Sequence, residues 1–143
     1  MSKLMSFFTT TPAAPNALAQ ADACIEAAFA HEDANQWDAA LAAYRQALTL
    51  VPDYWRAHVN LGNALKALGQ LDAAHQHYQS AYTHNPQVHS TCYNLGADYV
   101  RLGRMTDAIA LLQRAVELKP DFADAMVLLA EALAATGLAA QGV

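Results

Sequence analysis

The sequence predicts an all-α protein in which antiparallel helix pairs are stacked side by side as an α-solenoid. Pro52, Pro86 and Pro120 stand 34 residues apart, twice in succession. A fixed period of about 20 to 50 residues indicates stacked repeats, and 34 residues suit one helix–turn–helix unit. The composition is 55% hydrophobic and 15% charged, with much alanine, the strongest helix former. About seven helices are expected, as three repeats and one further helix.

Small residues recur at fixed places in the 34-residue unit, which is clearest over residues 55–88. Leu61-Gly62 recurs as Leu95-Gly96. The other recurring sets are Ala40, Ala74 and Ala108; Ala47, Ala81 and Ala115; and Asn35, Gly69, Gly103 and Gly137.

This pattern resembles the tetratricopeptide repeat, with repeats at about 21–54, 55–88 and 89–122 and a half repeat at 123–137. The resemblance implies a right-handed superhelix. Its concave groove is lined by the first helix of each repeat and binds a protein or peptide. It also implies that Gly62 and Gly96 face Ala74 and Ala108, so that paired helices approach closely.

Prolines, glycines and capping side chains place the individual helices. Asn16, Asp53 and Asp121 are expected N-caps, because their short polar side chains can accept hydrogen bonds from the first turn. Gly69 and Gly103 are expected to end helices in the left-handed conformation, and Gly137 likewise. The predicted helices run over residues 17–33, 37–50, 54–68, 71–84, 88–102, 105–118 and 122–136.

Both ends of the chain are predicted as tails outside the 17–137 repeat domain. Residues 1–16 are rich in proline and threonine without periodicity, which is typical of a flexible segment. Its apolar cluster, Leu4 to Phe8, could dock on this chain or on a neighbour. Residues 138–143 are too few for an eighth helix of ordinary length.

Bulk composition argues against several classes of partner. The net charge is −5 with eight scattered basic residues, whereas binding to a phosphate backbone needs clustered lysine and arginine. No apolar run is long enough for a membrane span. Two cysteines are too few for a disulfide framework. We therefore expect a cytoplasmic protein that binds neither nucleic acid nor membrane. The short apolar patch after Lys3 leaves secretion as a minor alternative.

The resemblance implies that positions i, i+4, i+7 and i+11 of each first helix, which form one helical stripe, face the groove. Asn60 and Asn94 resemble two rungs of the asparagine ladder in O-GlcNAc transferase repeats, where a carboxamide bonds peptide C=O and N–H groups. The alternative is that both asparagines only solvate a helix face. The predicted peptide-binding residues are Arg56, Asn60, Asn63, Lys66, Ser90, Asn94, Arg101, Asp124 and Glu131. Lys66 is added because its charge makes the middle of the groove more basic.

The charges of this groove suit an extended peptide with a central acidic residue, because Arg56, Lys66 and Arg101 make its middle mildly basic. The carboxylate clamp of related co-chaperones uses lysine, arginine and asparagine to grip a C-terminal carboxylate. Here its places are occupied mainly by other residues, namely Ile25, Phe29, Tyr93 and Ala97. We therefore predict no binding of chaperone tails.

Catalytic and metal-binding patterns are not expected. Cys24, His58, Cys92 and Met126 share one position of the repeat, so stacked helices hold them about 8–10 Å apart. Metal ligands instead converge within about 2.0–2.3 Å of one ion. We expect these four residues to be core packing, with no cofactor, no metal and no enzymatic activity. His58 also remains a candidate pH-sensitive packing residue.

The last helix carries apolar residues on more than one face, and no second helix is predicted to cover them. Met126, Leu129 and Leu133 are the candidate interaction edge. Either the chain is a fragment of a longer protein or two chains pair here as a homodimer. The predicted function is a non-catalytic protein-interaction module. The alternatives are a substrate-recruiting module of a larger, glycosyltransferase-like enzyme and a self-assembling scaffold.

Overall fold

The computed structural model describes residues 16–140, and this part of the chain is entirely helical apart from short turns. The prediction of an all-α fold is confirmed. No helix within these residues combines the length and apolar character needed to cross a membrane. The seven helices are α1 (Ala17–Asp33), α2 (Trp37–Leu50), α3 (Trp55–Ala67), α4 (Leu71–His84), α5 (His89–Arg101), α6 (Met105–Leu118) and α7 (Ala123–Ala140).

Each helix packs mainly on its neighbours in the chain. The most extensive contacts join α1 to α2, α3 to α4 and α5 to α6, which are the helix pairs of the three repeats. The contacts of α2 with α3, α4 with α5 and α6 with α7 connect successive units, so the helices lie in a row. The odd-numbered helices are the first helices of their units, and α7 packs on α6 and α5.

Left-handed residues end the first helices of the three repeats. Asn35, Gly69 and Gly103 have φ values of 59°, 79° and 76°. At the second of these, Gln70 N–H donates to the Leu65 carbonyl oxygen at 2.8 Å, which satisfies a carbonyl of the last turn. The prediction for Gly137 is wrong, because this glycine lies inside α7, which continues to Ala140.

The predicted N-terminal caps are wrong in detail. Asn16 stands at the N-cap of α1, but its side chain makes no capping hydrogen bond. Tyr54, not Asp53, is the N-cap residue of α3. Asp121 stands two residues before α7 begins. The starts of α1 and α3 therefore carry no capping side-chain hydrogen bond.

Large side chains of the second helices pack over glycines of the first helices. Tyr44, Tyr78 and Leu112, at equivalent places, are fully buried. A Cβ atom built on Gly62 would lie 2.6 Å from Cε1 of Tyr78, and one built on Gly96 would lie 2.7 Å from Cγ of Leu112. The expectation that these glycines face alanines is therefore incomplete, since their nearest neighbours are the large side chains. Each glycine does allow the paired helices to approach closely, but the space beside it is occupied by the Tyr78 ring or the Leu112 side chain.

Most predicted tail residues lie outside the described part of the chain, including the apolar cluster from Leu4 to Phe8. At the C-terminal side, the backbone of residues 138–140 belongs to α7. The core itself is built from alanines, leucines and two tyrosines that are buried between successive helices.

Candidate functional site

An ion-pair cluster joins α1 to α3. Arg56 donates from Nη1 to Asp22 at 2.7 Å and from Nη2 to Glu26 at 2.8 Å. Tyr54 donates its hydroxyl to Asp22 as well. The Tyr54 hydrogen bond and the Arg56 guanidinium together lower the pKa of Asp22 below its usual range, although burial opposes them. The positive charge of Arg56 is therefore neutralised by the carboxylates of Asp22 and Glu26.

Asn60 is partly engaged by its own helix. Its Nδ2 donates to the Arg56 backbone carbonyl at 2.8 Å, one helical turn earlier. The carbonyl oxygen of this side chain has no such partner among residues 16–140 and remains an unused acceptor. Within residues 16–140, Asn60 makes no hydrogen bond with Asn94, the other predicted rung of the ladder.

A contact between Asn63 and Asn94, which we call the amide pair, bridges α3 and α5. Asn94 Nδ2 donates to Asn63 Oδ1 at 3.2 Å. The Tyr78 hydroxyl donates to the same oxygen at 2.7 Å. An amide oxygen has two lone pairs, so both acceptor sites of Asn63 are occupied and its orientation is fixed.

The second repeat alone places a buried hydroxyl beside a groove amide. Tyr78 reaches Asn63 because Gly62 leaves room for its ring. In the first repeat Tyr44 meets Phe29 edge to face, with ring centroids 6.3 Å apart. In the third repeat the equivalent residues are Leu112 and Ala97, which have no polar side-chain atoms. The amide pair is therefore confined to the junction of the second and third repeats.

Asp98 is a polar feature of this junction that the sequence analysis missed. It is 5% exposed and accepts a hydrogen bond from His75 Nδ1 at 2.8 Å. Arg101 lies near it, with Nη2 3.9 Å from Asp98 Oδ1. The signal was present in the repeat register: Ala64 and Ala132 occupy the equivalent core position, so an aspartate there requires a partner.

The remaining predicted groove residues do not converge on the amide pair. Lys66 is exposed in the last turn of α3, and Arg101 stands in the last turn of α5. Ser90 is partly buried near the start of α5. Asp124 and Glu131 are exposed on α7 and make no ion pair within residues 16–140.

The predicted core position behaves differently in each repeat. Cys92 is fully buried, and its thiol donates to the Pro86 carbonyl at 3.7 Å. Burial raises the pKa of this thiol. Cys24 is partly buried. The prediction of core packing is wrong for Met126, which is 49% exposed because no second helix covers this side of α7 within residues 16–140. No group of three metal-ligating side chains is found in the part of the chain that the structure describes.

His58 belongs to a cluster of histidines on α3 and α4. Its Nδ1 lies 3.0 Å from Nδ1 of His77, and its Nε2 lies 3.1 Å from the Pro52 carbonyl oxygen. The His84 ring is nearly parallel to it, with centroids 6.4 Å apart. Burial is the main cause that lowers the pKa of both His58 and His77.

The predicted edge on α7 is largely exposed. Met126 and Leu133 are 49% and 47% exposed, and Val127 is 58% exposed beside them. Leu129, the third predicted edge residue, is instead partly buried. The apolar surface of α7 is therefore centred nearer Val127 than Leu129.

A cavity of about 390 Å³ is lined by residues of the second helices α4 and α6 and of the first helix α5. It contains none of the predicted groove residues. Its lining is Gln79, Tyr82, Thr83, Leu95, Tyr99 and Leu111.

Several solved structures share this fold. The chain is similar to a mutant O-GlcNAc transferase of Thermobaculum terrenum, with a TM-score of 0.72 and 28% identity. That likeness covers 84% of this chain and 23% of the transferase. The first tetratricopeptide domain of Spaghetti (RPAP3), bound to the HSP90 peptide SRMEEVD, gives a TM-score of 0.76 at 19% identity. It covers 84% of this chain and 95% of that domain.

A third structure of the same fold is the Sgt2 tetratricopeptide domain of Aspergillus fumigatus. It gives a TM-score of 0.72 at 18% identity and covers 85% of this chain and 82% of that one. Comparison with curated protein sequences gives no significant match.

Family models settle the relationship at the level of sequence. The model described as TPR repeat matches residues 32–69 and 96–137. The model described as Tetratricopeptide repeat matches residues 55–88, the unit that is clearest in the sequence. These matches cover more than half of the chain, which therefore belongs to the tetratricopeptide-repeat family.

Proposed function

We propose that this protein is an interaction module whose concave groove binds an extended peptide segment at the junction of α3 and α5. The observation that carries the proposal is the amide pair, because Tyr78 holds Asn63 in one orientation through a hydroxyl buried in the core. A binding group fixed before the ligand arrives loses less conformational entropy when the complex forms.

The amide pair offers the two hydrogen-bonding functions that a peptide unit requires. Among the residues that the structure describes, Asn63 Nδ2 and the second Nδ2 hydrogen of Asn94 have no acceptor, and Asn94 Oδ1 has no donor, so these groups remain available to a ligand. A peptide C=O and N–H can therefore be bound together without regard to the side chain between them. Asn60 adds an acceptor farther along α3.

Charge near the amide pair favours an acidic residue toward the C-terminal ends of α3 and α5. Lys66 and Arg101 lie at those ends and are exposed, whereas Arg56 is paired with two carboxylates. The sequence pattern suggested a central acidic residue facing Arg56, Lys66 and Arg101 together. Because Arg56 is paired, we propose that the acidic residue of the ligand lies beside Lys66 and Arg101. Exposed charge pairs contribute little affinity but guide orientation.

The test is a peptide selected from a random-sequence display library and measured by fluorescence polarisation. Asn94→Ala removes one acceptor and one donor, so we expect binding to weaken by about 3- to 10-fold, as for one or two neutral hydrogen bonds. Gln113→Ala is the matched control, because it removes an exposed amide from a second helix. Equal affinity of the Asn94 variant and the parent would contradict the groove assignment.

Self-association through α7 is a second candidate function. It is favoured by the exposure of Met126, Val127 and Leu133 on one helix. Contiguous apolar surface of this kind marks interaction sites in proteins that are otherwise well packed. Sedimentation at several protein concentrations tests it, and a monomer at every concentration would contradict it.

Recruitment of a substrate polypeptide to a larger enzyme is a further alternative. Its support is the 28% identity to a bacterial O-GlcNAc transferase, of which this chain spans about a quarter. The groove would then present a polypeptide to a catalytic unit. A gene sequence that continues past Val143 into such a unit would favour this alternative over a separate module.

A further inference from the structure

The exposed face of α7 is uncharged and centred on Ala130. At 3.6 residues per turn, seven residues project within about 60° of Ala130. Asp124 and Glu131 project about 100° or more away from it. The face consists of Ala123, Met126, Val127, Ala130, Leu133, Ala134 and Gly137.

The repeat register shows what this face is shaped to receive. Ala130 stands 34 residues after Gly96 and 68 after Gly62. Those glycines lie against Leu112 and Tyr78, each on the second helix of its own repeat. The α7 face is thus the surface on which a first helix packs its antiparallel second helix. A small residue at its centre permits the same close approach.

We propose that α7 of a second copy of this chain covers this face, antiparallel, about a two-fold axis that passes beside Ala130. This inference rests on the self-association proposed for α7 and specifies its partner and register. The two-fold axis places residue i opposite residue 260 − i of the partner. Ala130 then meets its own copy, Met126 meets Ala134, and Val127 meets Leu133.

The order of side-chain sizes along α7 supports this register. The long side chain of Met126 on each helix packs against the small Ala134 of the other helix. The two-fold axis repeats this large-to-small contact on both sides of Ala130. Val127 and Leu133 provide the two larger apolar contacts. No charge faces a like charge across the centre, since the face has none. The pattern is self-complementary, which is the property that an isologous interface needs.

The extent of the contact sets the expected strength. Only one helix of each chain takes part in the proposed contact, and interfaces below roughly 1,200 Å² are typical of weak or transient complexes. We therefore expect a weak dimer whose population depends on protein concentration.

Sedimentation velocity over a wide concentration range tests the partner. We expect the sedimentation coefficient of the full chain to rise with concentration, and Val127→Glu to abolish this rise. Leu102→Glu is the matched control, because Leu102 is an exposed leucine, at 49%, in the turn after α5. Unchanged helicity by circular dichroism must accompany the loss. A monomer at every concentration would overturn both self-association and the register.

Cysteine cross-linking tests the register separately. Helix axes about 8–10 Å apart, with Cα atoms about 2.3 Å from each axis, bring the two Cα atoms of residue 130 to about 3.5–5.5 Å. This overlaps the range of about 4.4–6.8 Å that disulfides span. The two copies of residue 134 would be separated by about 12 Å along the axis, at 1.5 Å per residue.

In a Cys24→Ser background, with Cys92 buried, Ala130→Cys should form a covalent dimer on mild oxidation and Ala134→Cys should not. A dimer by sedimentation that cross-links at residue 134 but not at 130 would overturn the register while leaving self-association in place. A dimer that Val127→Glu does not disturb would place the contact elsewhere and overturn both.

Discussion

At the scale of single residues, one hydrogen bond joins the rings of His58 and His77. The Nδ1 atoms of the two rings are 3.0 Å apart, and the ring centroids are 5.3 Å apart. The difference is about what the two centroid-to-nitrogen distances add when both nitrogens lie on the line between the centroids. The rings therefore meet head to head. His58 donates Nε2–H to the Pro52 carbonyl, so its Nδ1 accepts and His77 Nδ1–H donates.

This arrangement tolerates one added proton but not two, because two Nδ1–H groups would then face each other. The neighbouring charged groups are Arg45, Asp53 and His84, of which Arg45 and His84 also disfavour added positive charge. A doubly protonated pair must separate, which loosens the contact of α3 with α4.

The pH dependence of stability follows from the sign of these shifts. The folded-state pKa values of His58 and His77 lie below their unfolded value of about 6.5, so the unfolded chain binds more protons in acid. We expect the free energy of unfolding to be highest above about pH 6.5 and to decrease as the pH falls from there through the folded-state pKa values of the two histidines. Thermal melting at several pH values measures this effect.

His77→Gln should reduce the loss of Tm in acid, and His31→Gln, on α1 and outside the cluster, is the control. An acid-dependent loss of Tm in His77→Gln as large as in the parent would show that other groups cause it.

Unlike the paired histidines, Thr91 has a buried hydroxyl without a hydrogen-bond partner among the described residues. Its side chain is fully buried in α5, where the other repeats have Ala57 and Ala125. Thr91→Val keeps the shape and removes the unpaired oxygen, so we expect a gain of about 1 kcal/mol in unfolding free energy. Urea denaturation measures it.

Thr136→Val is the control for Thr91, since the Thr136 hydroxyl donates to the Ala132 carbonyl at 3.0 Å. No gain at residue 91 would indicate that its hydroxyl is solvated in solution.

At the scale of elements, a matched pair of glycines separates close packing from helix propensity. Gly62→Ala would place a Cβ 2.6 Å from the fully buried Tyr78 ring, so we expect a loss of about 1–3 kcal/mol in unfolding free energy. Gly137→Ala meets nothing within 4 Å inside α7, and we expect a gain of up to about 1 kcal/mol. Chemical denaturation compares the two. A neutral Gly62→Ala would mean that Tyr78 can move aside.

The positions of the helices were the part of the fold that could be predicted best from the sequence. The 34-residue spacing of prolines and the left-handed residues Gly69 and Gly103 indicated where most of the helices end, because each acts locally on the backbone. Gly137 has the same register but remains helical. The repeat position alone does not stop a helix.

The candidate site depended on contacts that no local pattern encodes. Asn63 and Asn94 were both predicted in the groove, but their hydrogen bond and the link to Tyr78 join residues 31 and 15 positions apart. The direction of the Tyr78 hydroxyl depends on how α4 crosses α3, which the sequence pattern does not give. The pairing of Arg56 with Asp22 and Glu26 similarly required the tertiary structure.

At the scale of the whole molecule, the proposed binding groove changes in charge and polarity from one end to the other. Its first junction is closed by ion pairs around Arg56, its second carries the amide pair, and α7 adds the exposed acidic residues Asp124 and Glu131. A ligand that crosses all three units meets neutralised charge, then peptide-directed hydrogen bonds, then negative charge.

This distribution disfavours a strongly acidic C-terminal tail. Ile25 is fully buried and Phe29 packs on Tyr44, so no cation stands at these positions of the first repeat. We expect fluorescently labelled SRMEEVD, the peptide bound by the Spaghetti domain, to show no saturable binding to this protein. The Spaghetti domain in the same polarisation assay is the positive control. Saturable binding here would require a cationic clamp built from other residues.

The contact of Tyr78 with Asn63 makes the interior sensitive to what occupies the surface. The ring is held beneath Gly62, while its hydroxyl ends at an amide that a ligand would touch. Occupancy of the groove should therefore slow the flipping of this one aromatic ring and shift its NMR resonances. Tyr44, whose hydroxyl binds Glu32, would keep its own rate, so the protein contains both a spectroscopic reporter of its ligand and an internal reference.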